Sequence, residues 1–167
     1  MILLAIDPGV HHHGLALFED RVLIRCAGVR GPAGKDALAV SASLLARLTA
    51  EWADLHWRTR PCVVAELPQD RSQDRVPVGD LISLTCVLGW TLGTIGRPAY
   101  LISPADWKGS IPKSKHQPRI IAALSEAERA LIPTGALAHN AIDAVGIGLW
   151  ALGRISGGRK RGPFSQG

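Results

Sequence analysis

The feature that most constrains the fold of this chain is a short apolar run that ends in an acid. Leu3 to Ile6 are apolar, Asp7 follows directly, and Pro8-Gly9 ends the segment. An apolar run bounded by turn residues predicts a buried strand, and an acid at its end lies where the buried strand meets solvent. Asp7 is therefore either a turn former or a ligand.

The order of the predicted elements indicates an α/β domain. Three strands joined by short turns open the chain, and strands and helices alternate after them, which predicts a mixed sheet. Apolar periodicity and turn residues predict strands at 2–7, 14–18, 22–29, 61–66 and 98–102, and helices at 35–58, 81–96, 120–124 and 137–152. We expect one domain over residues 1–153, followed by a basic, flexible tail at 154–167 that is too rich in glycine to pack.

Composition restricts the class of protein. A chain of 167 residues is long enough for one domain with a true core, and its formal net charge of +5 favours a polyanionic partner. Cys26, Cys62 and Cys86 are odd in number and form no C-x-x-C pair, which predicts reduced thiols in a cytoplasmic protein. The uncharged run at 81–96 is too short to span a membrane, so we interpret it as a buried helix and expect no membrane partner.

Three acids are the candidate functional residues. Asp7 and Glu66 each end a predicted strand, and ligands of open α/β sheets bind at such strand ends. Asp143 lies in an apolar helix, where a carboxylate is costly to bury unless it is paired or binds a metal, and His139 and Asn140 precede it on the same helical face. Clustered carboxylates repel one another unless cations lie among them, and oxygen ligands of this kind suit Mg²⁺ or Mn²⁺.

Each of these acids also has an ordinary structural explanation. Asp-Pro-Gly is a common turn, Glu66 could simply end a strand, and Asp143 could pair with an arginine. The triplet His11-His12-His13 does not favour a metal cluster, since consecutive residues of a strand point to alternate faces. We expect these three histidines to be exposed turn residues near the site.

The combination of motifs resembles one known family. "AIDPGVHHHGLALF", "VVAELP" and "HNAIDAVGIGLWAL" resemble, in order and spacing, the first hairpin, the strand with a catalytic glutamate and the closing helix of RuvC-type Holliday junction resolvases. The resemblance extends from Ile2 to about Gly153. It implies a ribonuclease H-like fold, with a mixed five-stranded sheet flanked by helices.

The resemblance also implies roles for single residues. Asp7, Glu66 and Asp143 would bind two catalytic ions, Mg²⁺ or alternatively Mn²⁺, about 4 Å apart. The fourth position of the family, an acid or a histidine, falls on Asn140 by a spacing of three or on His139 by a spacing of four. We favour His139 as a metal ligand and catalytic residue, because imidazole can bind a metal or carry a proton.

Basic residues are candidates for binding DNA, although a solvated charge run explains any one of them equally well. The family carries a basic stretch before its last helices and approaches the junction with the loop after the glutamate. The matching residues here are Lys108, Lys113, Lys115 and Arg119 in the stretch, and Arg71 and Arg75 in the loop.

The resulting hypothesis is a metal-dependent, structure-selective endonuclease that resolves Holliday junctions and related branched DNA. The resemblance implies paired phosphodiester hydrolysis with 5′-phosphate and 3′-hydroxyl ends, by a homodimer formed through the helix that carries Gly89 and Gly93, in a bacterial cell or a phage-infected host. Two alternatives remain open. One is another ribonuclease H-like nuclease, acting on flaps or RNA–DNA hybrid, and the other is a non-catalytic junction-binding protein.

Overall fold

Five strands form one mixed sheet in the computed structural model, which describes residues 1–31, 38–39, 42–43, 46, 61–69, 77–95, 99–156 and 161–165. β1 (Ile2–Asp7), β2 (His12–Glu19) and β3 (Val22–Arg30) form an antiparallel meander. β4 (Cys62–Glu66) runs parallel to β1, and β5 (Ala99–Ile102) runs parallel to β4. The strand order β3-β2-β1-β4-β5 confirms the predicted mixed five-stranded sheet.

Five helices follow β4 in the described part of the chain: α1 (Val78–Ile95), α2 (Pro104–Trp107), α3 (Lys113–Ala122), α4 (Glu126–Arg129) and α5 (Ala138–Ala151). The prediction at 120–124 found only the end of α3, because Pro118 lies inside this helix and argues against one in the sequence. Most of the helix predicted at 35–58 lies outside the described residues, although residues 38–39, 42–43 and 46 are helical.

The two faces of the sheet bury separate apolar layers. Leu3 and Ala5 face the layer that contains most of α5, whereas Leu4 and Ile6 face the layer that contains the buried side of α1. This alternation is the period of two that a strand imposes on its side chains. It explains why β1 reads as a continuous apolar run, since both of its faces are covered.

Only one side of α1 is buried, so the prediction of a buried helix is wrong for its other side. Leu84, Leu88 and their neighbours pack on the sheet. Val78, Ile82 and Trp90 are respectively 62%, 58% and 74% exposed, and they lie along one side of the helix. The absence of charge in the run 81–96 therefore does not show that this part of the helix is buried on all sides. No described helix combines the length and apolarity needed to cross a membrane.

The predicted flexible tail packs in part. Ile155 belongs to the core, the Phe164 N–H donates to the Ala151 carbonyl at 2.9 Å, and the Phe164 ring contacts Tyr100 edge to face. The expectation that residues 154–167 do not pack is therefore wrong for 154–156 and 161–165, because two apolar side chains anchor them. Residues 157–160 lie outside the described part.

A buried ion pair joins the end of α5 to the rest of the domain. Arg154 donates from both guanidinium ends to the Glu128 carboxylate, and also to the carbonyls of Arg21 and Ala123 at 2.9 and 3.0 Å. Glu128 accepts two further hydrogen bonds, from the Leu23 and Ser125 backbone N–H groups, each at 2.8 Å. Both charged groups are thus surrounded by hydrogen-bonding partners.

Candidate active site

Two of the predicted acids end neighbouring parallel strands. Asp7 is the last residue of β1 and Glu66 is the last residue of β4. Ile6 is directly opposite Ala65 in the parallel ladder, so the two acids leave the sheet side by side. The turn residues Pro8-Gly9 therefore mark a real strand end, and the local sequence pattern was sufficient to place both carboxylates.

The third acid is brought to the same edge by a row of glycines. Asp7 is opposite Gly14 in the sheet, and Gly14 is opposite Gly28. A Cβ atom at Gly14 would lie 1.9 Å from the Asn140 carbonyl oxygen, and one at Gly28 would lie 2.3 Å from the backbone just before α5. Because both side chains are absent, the first turn of α5 rests directly on the sheet. Asp143 follows one turn later.

The three carboxylates line one cavity. Asp7, Glu66 and Asp143 are all on the wall of a space of about 340 Å³, together with Lys108 and His116. Among the described residues, the cavity wall thus carries three acids, one cation and one imidazole. A charged, concave site of this composition at the carboxyl ends of parallel strands is typical of a ligand-binding or catalytic centre.

Two donors that follow β5 in the chain hold Glu66: one is the last residue of α2 and the other comes directly after it. The Trp107 indole Nε1 donates to Glu66 Oε2 at 2.5 Å, and the Lys108 ammonium lies 3.5 Å from the same oxygen. The Lys108 Nζ atom also lies 4.9 Å from the centre of the Trp107 ring. These contacts fix the position of the Glu66 carboxylate and place a positive charge inside the cavity.

Asp143 is held by a residue of α3. Gln117 Nε2 donates to Asp143 Oδ1 at 3.0 Å and to the His139 backbone carbonyl at 3.3 Å. Gln117 therefore joins α3 to the first two turns of α5. The sequence analysis did not single out this residue.

The two candidates for the fourth position are not equivalent in the structure. His139 is exposed on the first turn of α5 and is not among the described residues that line the cavity. Asn140 has a buried Oδ1 atom without a hydrogen-bond partner in the described part of the chain. The role of His139 stays a prediction.

His116 is a second site residue that sequence reasoning missed. Its side chain is 1% exposed, and its ring packs edge to face on Trp107, with 4.7 Å between the ring centres. Burial lowers the pKa of His116 to about 4, against the opposing charge of Asp143, so the imidazole is neutral at pH 7. The missed signal was helical spacing: His116 and Ile120 are both buried four residues apart on α3.

The histidine triplet differs from its prediction at two positions. His11 is exposed, but His12 is half-buried and His13 is only 1% exposed. The expectation of three exposed turn residues is therefore wrong for His12 and His13, since β2 already begins at His12 and turns the next side chain into the core. Burial lowers the pKa of His13 to about 4.

The predicted DNA-binding residues are only partly described. Lys108 is in the cavity wall, Lys115 is exposed on α3, and Arg119 on the same helix is half-buried. Arg71, Arg75 and the side chain of Lys113 lie outside the described residues. Contact of any of these side chains with DNA stays a prediction.

The donor types at the cavity fit a hard divalent cation, because three carboxylates and an imidazole are available there. Among the described residues, however, no group of three His, Cys, Asp or Glu side chains is already arranged to hold a metal ion. Carboxylates repel one another without a cation between them, and Glu66 is engaged by Trp107 and Lys108. The ligand types therefore fit a divalent cation, although the described side chains are not already gathered around one point.

Comparison with solved structures shows the architecture to which this site belongs. The chain is similar to RuvC of Thermus thermophilus in complex with a Holliday junction substrate, with 20% identity and a TM-score of 0.60, over 89% of this chain and 91% of that one. A second structure of Thermus thermophilus RuvC matches with 19% identity and the same TM-score, over 89% and 92% of the two chains. The chain has the RuvC fold. No family model and no curated protein matches it.

The RuvC fold confirms the resemblance found in the sequence at the level of architecture. The match covers about nine tenths of both chains, so the likeness is not restricted to the central sheet. In this RuvC fold the three acids come from β1, β4 and α5, three elements that meet only in the folded chain.

Proposed function

We propose that this protein is a divalent-metal-dependent endonuclease that resolves four-way branched DNA. One observation carries the proposal: Asp7, Glu66 and Asp143 line a single cavity at the carboxyl ends of the parallel strands of a RuvC fold. The similarity to the structure of Thermus thermophilus RuvC in complex with a Holliday junction substrate supports the choice of substrate.

The three carboxylates would hold two Mg²⁺ ions, or Mn²⁺ in their place; His139 is the fourth group expected from the sequence, and the metal-binding experiment described below decides between it and His116. When bound, such ions supply Lewis acidity that activates a water nucleophile and stabilises the leaving oxygen of a phosphodiester. The expected products carry 5′-phosphate and 3′-hydroxyl ends. His139, exposed beside the first turn of α5, would carry the proton between the site and solvent.

Positive charge around the cavity would hold the DNA backbone. Lys108 is the cation in the cavity wall and is the candidate for contact with the phosphate that is cut. Lys115 and Arg119 extend the positive charge along α3, and the net charge of +5 favours a polyanion generally. Lys113, Arg71 and Arg75 complete the proposed DNA-binding set.

The exposed side of α1 would form a homodimer. Val78, Ile82 and Trp90 present apolar surface, and a Cβ atom at Gly89 would meet nothing within 4 Å, so a second helix has room to approach. A four-way junction needs two matched cuts, and a twofold pair of identical sites supplies them. The apolar side of α1 in a second copy of the chain is therefore the proposed partner surface.

The first experiment compares DNA substrates and one matched pair of variants. A labelled four-way junction is incubated beside linear duplex, flap and RNA–DNA hybrid, with Mg²⁺, Mn²⁺ or EDTA. We expect paired, metal-dependent nicks in the junction alone, lost in Asp7→Asn and retained in Glu126→Gln, which changes an exposed acid on α4. Both substitutions remove one negative charge, so loss in the first alone assigns the effect to the cavity.

Other outcomes select the alternatives. Cleavage chiefly of flap or RNA–DNA hybrid would keep the site and replace the substrate. Junction binding without cleavage in either metal would contradict an enzyme and favour a junction-binding protein.

The dimer is tested by molecular mass in solution. Light scattering after size exclusion should give twice the monomer mass for the wild type and the monomer mass for Ile82→Asp, because the charge would be buried in the interface. Leu131→Asp, which places the same charge at a 40% exposed leucine on another surface, should remain dimeric. A monomeric wild type would contradict the proposed dimer.

A further inference from the structure

Two of the histidines that the structure describes are buried without hydrogen-bond partners. His116 and His13 are each 1% exposed, and within the described part of the chain neither ring nitrogen of either residue has a partner. Buried polar groups in folded proteins are nearly always hydrogen-bonded, so each exception calls for an explanation. A ligand that binds the folded protein is one such explanation.

Only one of the two histidines faces a site. His116 is part of the cavity wall that Asp7, Glu66 and Asp143 also line, whereas His13 is not among the residues that line it. His13 lies within β2, opposite Val29 of β3. The two residues thus have the same burial and the same missing partners but differ in access to the carboxylates.

The contacts of α3 fix His116 relative to two of the carboxylates. Its ring packs on Trp107, whose indole N–H is hydrogen-bonded to Glu66. The next residue, Gln117, donates to Asp143. His116 is therefore positioned by the same side chains that position the acids, although it contributes no hydrogen bond to that arrangement itself.

We propose that His116 supplies a nitrogen ligand to the divalent cation of this site, from α3 and not from α5. The residue expected in that role from the sequence, His139, is exposed, while His116 is inside the cavity wall with both nitrogens unused. Carboxylates suit Mg²⁺ and Mn²⁺, and an imidazole suits later transition-metal ions, so one imidazole among the carboxylates widens the range of divalent ions that the cavity can bind. This inference rests on the proposed function only in requiring that the cavity binds a divalent metal.

The direct test is pulsed electron paramagnetic resonance of Mn²⁺ bound to the full-length protein without DNA. An imidazole ligand gives a nitrogen coupling to the manganese electron spin. We expect this coupling in the wild type and its loss in His116→Gln, with Mn²⁺ affinity falling at least about tenfold. It should persist in His13→Gln, the matched buried histidine outside the cavity, and in His139→Gln.

Three results would overturn the inference. They are a wild-type spectrum without nitrogen coupling, a coupling that survives in His116→Gln, and a coupling lost in His139→Gln alone, which would make His139 the ligand. Failure of the wild type to bind Mn²⁺ would overturn both this inference and the metal dependence of the proposed function. Coupling through His116 in a protein that does not cut junctions would support the ligand and contradict the substrate.

A second variant separates a metal ligand from a structural residue. His116→Leu replaces the ring with an apolar side chain of similar size and removes two buried polar atoms that have no partners. We expect the urea midpoint of the metal-free protein to be unchanged or higher, while Mn²⁺ binding weakens as in His116→Gln. A lower midpoint would show that His116 stabilises the fold, and would overturn a role reserved for the metal.

Discussion

Glu128 and His116 are almost equally buried, at 3% and 1% exposed, but their surroundings are opposite. Glu128 accepts hydrogen bonds from the Arg154 guanidinium and from the backbone N–H groups of Ser125 and Leu23. It thereby joins α4, β3 and the end of α5. His116 has no hydrogen-bond partner within the described chain. The fold itself supplies hydrogen-bond partners to Glu128. The partner of His116, in our proposal, is the metal ion that binds in the cavity. Of these two buried side chains, the one that lacks hydrogen-bond partners in the described chain is the one that lines the cavity.

The largest effect is expected at the cavity and should leave stability untouched. Asp143→Asn removes a carboxylate but keeps an oxygen that can accept from Gln117. We expect the junction cleavage rate to fall about 1000-fold, which corresponds to about 4 kcal/mol of transition-state stabilisation. The urea midpoint should stay near that of the wild type. A rate within about tenfold of the wild type would exclude Asp143 from the catalytic set.

A substitution in the pair of Glu128 and Arg154 should have the opposite result: a large effect on stability and none on the cleavage rate. Glu128→Gln leaves the Arg154 guanidinium without its counter-charge, and we expect the free energy of unfolding to fall by about 3 kcal/mol. The cleavage rate per folded molecule should not change. Urea unfolding measures the loss, with Glu126→Gln on the same helix as the exposed control. An equal loss in the control would remove the distinction between the two acids.

The same pair should give the protein an acid-sensitive stability. The hydrogen bond with Arg154 lowers the pKa of Glu128 from its usual value of 4.5 to about 2. A carboxylate with a lowered folded-state pKa stabilises the protein above pH 4.5, and this contribution is lost as the pH falls towards 2. We expect the difference in unfolding free energy between wild type and Glu128→Gln to shrink by about 2.5 kcal/mol between pH 6 and pH 2.5. A difference independent of pH would contradict an ionised Glu128.

The smallest effect concerns the cap that holds Glu128 in place. Ser125 Oγ accepts the Glu128 backbone N–H at 3.3 Å while the Glu128 side chain accepts the Ser125 N–H. Ser125→Ala removes one of these two bonds, and we expect a cost of about 1 kcal/mol in unfolding free energy, measured by urea denaturation. Ser125→Thr keeps a hydroxyl acceptor and should restore most of the loss. No difference between Ala and Thr would show that the hydroxyl does not stabilise α4.

Much of the sheet and two of the carboxylates were predictable because their signals are local. The apolar run into Asp7 and the strand ending at Glu66 each combine burial, strand length and a turn within a few residues. Asp143 was predictable because a carboxylate inside an apolar helix needs a compensating partner. The mixed sheet followed from the order of these elements.

The rest of the site could not be predicted because it depends on contacts between distant segments. Pro118 argued against a helix at the position of α3, which is the helix that buries His116. A proline in the second turn nevertheless does not prevent α3 from forming. The pairing of Glu128 with Arg154 has no signature in the sequence, since 26 residues separate its partners. The uncharged run 81–96 predicted a buried helix, but absence of charge does not distinguish a core helix from one with an apolar exposed side.

The glycine row on which α5 rests also determines when the protein can become active during its synthesis. Gly14 and Gly28 leave the ribosome early, whereas the backbone that covers them, and Asp143 with it, is among the last parts of the domain to be made. Pairing between such distant segments forms late in folding, because the chain must first close a long loop. A nascent chain that carries Asp7 and Glu66 thus has only part of the proposed catalytic centre. The proposed nuclease remains inactive until α5 has been synthesised and has packed on the sheet.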